Sequence, residues 1–178
     1  QFRLLKSIGC NAIRTSHNMP SQMQMEVCDS MGLMVMAERF DAWKDPKVEN
    51  GYNRFYDEWW RKDLSNLIRG HRNHPSIVMW SIGNEIPEQW KKDGAERARA
   101  LTASGPGLDP PRPVTGGVDN PKGGTESGFY ASTDVPGFNY RTFLYDELIS
   151  RMPQGFILGS ETTSTVSSRG VYKFPVEE

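Results

Sequence analysis

Two apolar runs in this 178-residue chain end on glutamate: "IVMWSIGNE", Ile77 to Glu85, and "FILGSE", Phe156 to Glu161. A buried strand normally stops in a neutral turn, so a strand that stops on a carboxylate is a candidate for delivering it to a site. Two carboxylates facing one mouth suit cleavage of a glycosidic bond. One, held protonated, donates to the leaving oxygen while the other attacks the anomeric carbon. A serine nucleophile fits less well, because "GSETTS" contains serines but no G-x-S-x-G elbow. Metal chemistry has little support. The three histidines, His17, His71 and His74, lie in no Cys/His cluster, and Cys10 and Cys28 read as small buried residues rather than a disulfide.

Composition narrows the partners. With 37% hydrophobic and 24% charged residues the chain can bury a core. Its formal net charge is -1, with no basic block, which argues against nucleic acid. No apolar run is long enough for a membrane-spanning helix. Aromatics make up 11%, enough to furnish a sugar-stacking cleft as well as a core.

The elements that would carry the glutamates alternate. A helix over Phe2 to Ser7 stops at Gly9, and a strand covers Asn11 to Ser16. Ser21 is placed to cap a helix running to Met31, and Gly32 ends it. A strand from Leu33 to Glu38 and a helix from Asn53 to Arg72 follow, the latter with Phe55, Trp59, Trp60, Leu64, Leu67 and Ile68 at helical spacing. Next come the strand ending at Glu85, a helix from Trp90 to Ala103, and a strand from Arg112 to Gly117. The Gly-rich stretch from Val118 to Ser132 reads as loop. A strand at Val135 to Tyr140, a helix at Thr142 to Arg151 and a strand at Gly155 to Glu161 complete the alternation, and the polar tail after Glu161 reads as irregular.

Strands that are apolar throughout belong in a parallel sheet covered by helices. Both an open doubly wound sheet and a (β/α)8 barrel fit. No G-x-G-x-x-G or P-loop is present, which weakens nucleotide-binding folds. Polar groups instead recur where strands end: Arg14 to His17, Glu38, Asn84-Glu85, Asn139-Tyr140 and Glu161. That recurrence favours an α/β TIM barrel, whose sites gather side chains from the C-terminal ends of many strands. Six strands leave it two short, so one partial barrel domain over residues 1–178 is expected.

Taken together, "NAIRTSHNMP", "CDSMGLMVMAE", "HRNHPSIVMWSIGNE", "GFNYR" and "ILGSETTSTVSSRGVY" resemble the catalytic barrel of family 2 glycoside hydrolases, the β-galactosidase and β-glucuronidase group. The resemblance implies a fragment running from the first barrel helix to just past the seventh strand, without the family's N-terminal β-sandwich domains. It implies retaining, exo-acting hydrolysis of β-linked sugars, with β-galactosides first and β-glucuronides or β-mannosides as alternatives. An inactive fragment with carbohydrate-binding capacity is a further alternative, since two open edges suit a soluble protein poorly.

By the same resemblance Glu85 is the acid/base, Glu161 the nucleophile, and Asn84 the partner of the sugar 2-hydroxyl. Arg14 orients the nucleophile, Tyr140 hydrogen-bonds it, and His17 contacts sugar hydroxyls. Glu38 keeps a strand-end carboxylate, although "MAE" replaces the family's usual Asp-Glu ending. Trp43 is left with two places, lining the sugar site or packing a loop, and Asn139 could be a buried backbone partner. Some relatives hold magnesium with a Glu-x-His after the third strand. Here "ERFDAWKDP" has Ala42 and Lys44 at those places, so no metal or other cofactor is expected. The partner implied is a carbohydrate. The chain begins without Met, apparently inside a helix, so an N-terminal cut is expected; compartment, oligomeric state and the identity of the sugar stay open.

Overall fold

The structure is a computed structural model that describes residues 1–105 and 107–163. The expectation for the tail therefore lies outside the described residues from position 164 onward. Helix α1 spans Phe2–Ser7, and strand β1 spans Ala12–Arg14. They are followed by α2 (Gln22–Met31), β2 (Met34–Glu38), α3 (Tyr56–His71) and β3 (Ile77–Asn84). The chain continues with α4 (Lys92–Ser104), β4 (Val114–Val118), α5 (Pro121–Ser127), β5 (Val135–Asn139), α6 (Tyr145–Ile149) and β6 (Leu158–Glu161).

All six strands are parallel and lie in sequence order, each beside the next. A doubly wound sheet would reverse its order at a switch point. The unbroken order is that of an incomplete (β/α)8 barrel, with β1 and β6 each paired on one side. The sheet curls far enough for the Arg14 side chain to bridge that seam, its Nη1 lying 2.6 Å from Glu161 Oε1. Beneath the bridge a cavity of about 360 Å³ opens between Ala12 and Arg14 on one edge and Leu158 to Ser160 on the other. Met34 and Val78 on its wall are each 42% exposed, which is costly for apolar side chains and marks where further strands would cover them.

Local chemistry accounts for most boundaries. The Ser21 hydroxyl accepts from the Gln24 amide, and Gly32 closes α2 in the left-handed conformation. In α3 the helical stripe buries Leu64, Leu67 and Ile68, whereas Phe55 precedes the helix and Trp59 faces out. The loop expected between Val118 and Ser132 is instead α5 followed by a single 3-10 turn, Tyr130–Ser132. Asn120 caps α5 by accepting from the Gly123 amide, and Pro121 stands at its first turn. Cys28 is buried, as its helical position implies, but Cys10 is only partly buried; both are free thiols.

The N-terminal strand ends are tied for stability. Arg112 donates to the main-chain oxygens of Ile77, Arg72 and His74 and to Asp109, which also accepts from the Trp80 indole. The opposite ends carry the polar groups that follow. Register shifts lie between Ser81 and Asn84 on β3 and between Phe138 and Asn139 on β5, where bulges re-aim side chains.

Candidate active site

Glu38 is the centre of the cluster. It is fully buried at the end of β2, where an unpartnered carboxylate would be expensive. Its Oε2 accepts from Arg14 Nε at 2.9 Å, Arg14 Nη2 at 2.6 Å and Ser81 Oγ at 2.6 Å; its Oε1 lies 2.7 Å from His17 Nδ1. That hydrogen bond raises the His17 pKa above its ordinary 6.5, against the opposing effect of burial.

Arg14 connects this centre to β6. Besides its bond to Glu161 Oε1, its Nη2 donates to Asn84 Oδ1 at 2.9 Å. The Tyr140 hydroxyl donates to Glu161 Oε2, so both oxygens of Glu161 are held. The carboxylate pushes the Tyr140 pKa up to about 12, with burial and charge adding to it, which keeps the phenol a donor at ordinary pH. Tyr140 reaches Glu161 from a left-handed backbone, φ 57, and its amide also donates to the Glu161 main-chain oxygen. Left-handed conformations at non-glycine residues cost energy and persist where the surroundings impose them.

Glu85 stands one residue past β3, also left-handed at φ 44, with its amide donating to Gly117 O at 2.7 Å. The turn is therefore made by Glu85 itself. Gly83 serves packing instead, since a Cβ there would lie 2.8 Å from Ile86 and 3.1 Å from the Trp43 indole nitrogen. Among the described residues the Glu85 carboxylate accepts one side-chain bond, from Asn139 Nδ2 at 3.0 Å. The same Nδ2 donates to Asn84 Oδ1 at 2.9 Å, and Asn139 Oδ1 accepts from Ser160 at 2.7 Å. With Arg14 and Asn139 both donating to its oxygen, Asn84 has its amide orientation fixed, and its Nδ2 lies on the side of His17, at 3.4 Å.

The structure thus brings Arg14, His17, Glu38, Asn84, Glu85, Tyr140 and Glu161 into one connected network. Trp43 is not among them. Of its two candidate places it takes the packed one: it is fully buried, its indole donates to Ile82 O, and its ring stacks on Phe129. It supports the loop beneath Glu85 and offers no face to a sugar. Glu38 has no exposed surface either, and Arg14 and His17 stand among the side chains that contact it. At the two magnesium positions of some relatives, Ala42 has no donor atom and Lys44 is paired with Asp57 at 2.8 Å.

Gly117 is a site residue the sequence did not reveal. A Cβ there would lie 2.8 Å from Asn139 Oδ1, 2.9 Å from Arg14 Nη2 and 3.2 Å from Asn84 Oδ1. Gly117, the second glycine of the pair in β4, makes room for polar groups from three other strands. "VTGG" in an otherwise apolar strand was the available signal, because glycine inside a strand marks a close approach. Ser81 and Ser160 were missed as well, and nothing local distinguishes them.

This site, at the C-terminal ends of the strands of a parallel barrel, is of the kind that barrel enzymes use. A family model described as "Glycosyl hydrolases family 2, TIM barrel domain" matches residues 1–127, and the chain belongs to that family. Its sequence is 35% identical to the β-galactosidase BoGH2A of Bacteroides ovatus, over 98% of this chain and 24% of that protein. A family 2 glycosyl hydrolase structure from Bacteroides cellulosilyticus superposes with a TM-score of 0.81 at 38% identity, covering 90% of this chain and 21% of that one. A Bacteroides uniformis β-glucuronidase 2, covalently bound to cyclophellitol-6-carboxylate aziridine, matches with a TM-score of 0.62 at 29% identity, over 78% of this chain and 17% of that one. The chain thus spans about a quarter or less of each of these three proteins.

Proposed function

We propose that the site belongs to a retaining exo-β-glycosidase that removes terminal non-reducing β-linked sugars, β-D-galactosides foremost, through a covalent glycosyl-enzyme. The observation that carries this reading is the asymmetry of the two carboxylates among the described residues: Glu161 is clasped on both oxygens by Arg14 and Tyr140, while Glu85 hangs on one amide. A nucleophile must be aimed, and charge-assisted donors on both oxygens do that. An acid/base must give up a proton and take it back, which excess donors would hinder.

In the first step Glu161 attacks the anomeric carbon, the glycosidic C–O bond breaks, and Glu85 protonates the departing oxygen. In the second, Glu85 removes a proton from water, which displaces Glu161 and restores the original anomeric configuration. Asn84 takes the 2-hydroxyl through Nδ2, and His17 contacts a neighbouring hydroxyl. The covalently bound compound on the Bacteroides uniformis relative supports a covalent course.

That relative's name also favours a second reading, a β-glucuronidase, with β-mannosidase as a third member of the same class. An aryl β-glycoside panel on the protein carrying this chain with a complete barrel distinguishes them, with proton NMR following the product. The β-anomer should appear first, with galactoside the best substrate. Initial release of the α-anomer would contradict retention, and preference for the glucuronide or mannoside would move the sugar assignment. The six-stranded chain alone should be weakly active or inactive, because the seam beside Arg14 is open.

A further inference from the structure

Among the loops that follow β3, β4 and β5, on the same end of the barrel as Glu85, lies a pocket of about 460 Å³ lined by Trp90, Asp119, Asn120, Lys122, Arg141 and Phe143 among others. Its volume lies in the range of roughly 300–1,000 Å³ typical of small-ligand sites. The loops that line it leave the same strands that carry Glu85 and Asn139 at their ends. Trp90 lies on the segment that follows Glu85, and Gln89 ties that segment to the end of β4, donating to Asp119 Oδ1 at 2.6 Å and accepting from the Asn120 amide. Arg141 directly follows Tyr140, and both take left-handed backbone, so one side chain turns to Glu161 while the other lines the pocket. On the glycosidase reading above, the leaving group sits beside Glu85, at the end of the barrel where these loops stand.

Two features define what the pocket would hold. Trp90 and Phe143 are 51% and 78% exposed, apolar rings available to the face of a sugar. The unanswered charge is positive. Arg141 Nε donates to Asp119 O at 2.6 Å, and among the described residues its guanidinium has no carboxylate partner. Among the described residues Lys122 has only Glu147, at 3.8 Å in an exposed pair that contributes little. The acidic lining residue, Asp119, is already satisfied by Gln89. A guanidinium fork with free donors matches a carboxylate or sulfate through two hydrogen bonds.

We infer that this pocket is a leaving-group subsite for a sugar bearing an anionic substituent, with Trp90 and Phe143 flanking the ring and Arg141 and Lys122 taking the acid. The inference rests on the glycosidase reading above.

The test uses the complete protein and four substrates sharing one glycon: an aryl β-glycoside, and disaccharides in which the leaving sugar is neutral, a uronate, or a sulfate ester. The expected result is kcat/KM roughly tenfold higher for an anionic than for the neutral disaccharide, a preference that falls as salt is raised. The uronate and sulfate arms show which acid is preferred. Arg141→Gln should bring the anionic-to-neutral ratio close to one, and Lys122→Gln should lower it less, whatever either does to the common rate. Equal kcat/KM for neutral and anionic disaccharides in the wild type overturns the subsite, as does a ratio unchanged in both variants. Aryl glycoside turnover separates the two failures. If it persists without the preference, the subsite alone is wrong; if it is absent, the glycosidase reading fails as well.

Discussion

The two sides of the mouth are built differently. On the side of β1, β2 and β6, charges alternate: His17 against Glu38, Glu38 against Arg14, Arg14 against Glu161. Every member has at least one charged partner, and Glu38 is sealed from water. On the side of β3, β4 and β5, Glu85 has a single side-chain donor among the described residues, and a pocket lies among the loops that follow these strands. The difference shows how one fold can give two chemically identical side chains different surroundings, one held on both oxygens and one held by a single amide. Arg14 is the hinge of the contrast, because it reaches Glu38, Asn84 and Glu161 at once.

Removing that hinge should have the largest effect. Arg14→Met leaves Glu38 buried with its main cation gone, and breaking such a pair costs about 3–5 kcal/mol. Denaturant titration should show that loss, and aryl glycoside turnover should fall by orders of magnitude. A stable, active variant would show that the charged side is dispensable. Gly117→Ala comes next. A methyl placed among Asn84, Asn139 and Arg14 should cost about 1–3 kcal/mol of stability and reduce kcat, read by the same titration and by steady-state kinetics.

Asn139→Ala strips Glu85 of its donor and spares the nucleophile's clasp. The hydrogen bond lost is worth about 1–1.5 kcal/mol, roughly tenfold in rate. Aryl glycosides with poor leaving groups should slow by that amount and those with good leaving groups should slow less, since only the former need the acid. Uniform slowing would place Asn139 on the nucleophile's side instead. The smallest effect concerns His17, whose pKa is raised in the folded state by Glu38. The resulting stabilisation is full below the unfolded value near 6.5 and is lost as pH rises through the folded value. The Tm advantage of wild type over His17→Asn should hold below pH 6 and shrink above 6.5. An advantage that grew with pH would mean that the pair is not ionic.

Much of this architecture was legible because it rests on local rules. The apolar run into Glu38, the Ser21 cap and the Gly32 stop all act within a few residues, and the strand-end polar groups pointed to a barrel mouth. The helix at Pro121–Ser127 was read as loop because its glycines are poor helix formers, although Asn120 and Pro121 carried the start signal. Trp43 lies in a loop without periodicity, so its burial was decided by Phe129 and Ile82, far along the chain. The Glu38 centre joins Arg14, His17 and Ser81 from three separate segments, and Gly117 matters only because Asn84, Asn139 and Arg14 converge on it. Those dependences are set by strand register, which no single segment encodes.

The claim that Glu161 attacks and Glu85 exchanges the proton is tested most directly by azide rescue of two variants of the complete protein. Glu161→Gly should lose several powers of ten in turnover, and azide, entering where the carboxylate was removed, should restore it with formation of the α-glycosyl azide. Glu85→Gly should be rescued with formation of the β-glycosyl azide from its trapped intermediate. Undiminished turnover in Glu161→Gly, or the two azide products interchanged, would contradict the assignment.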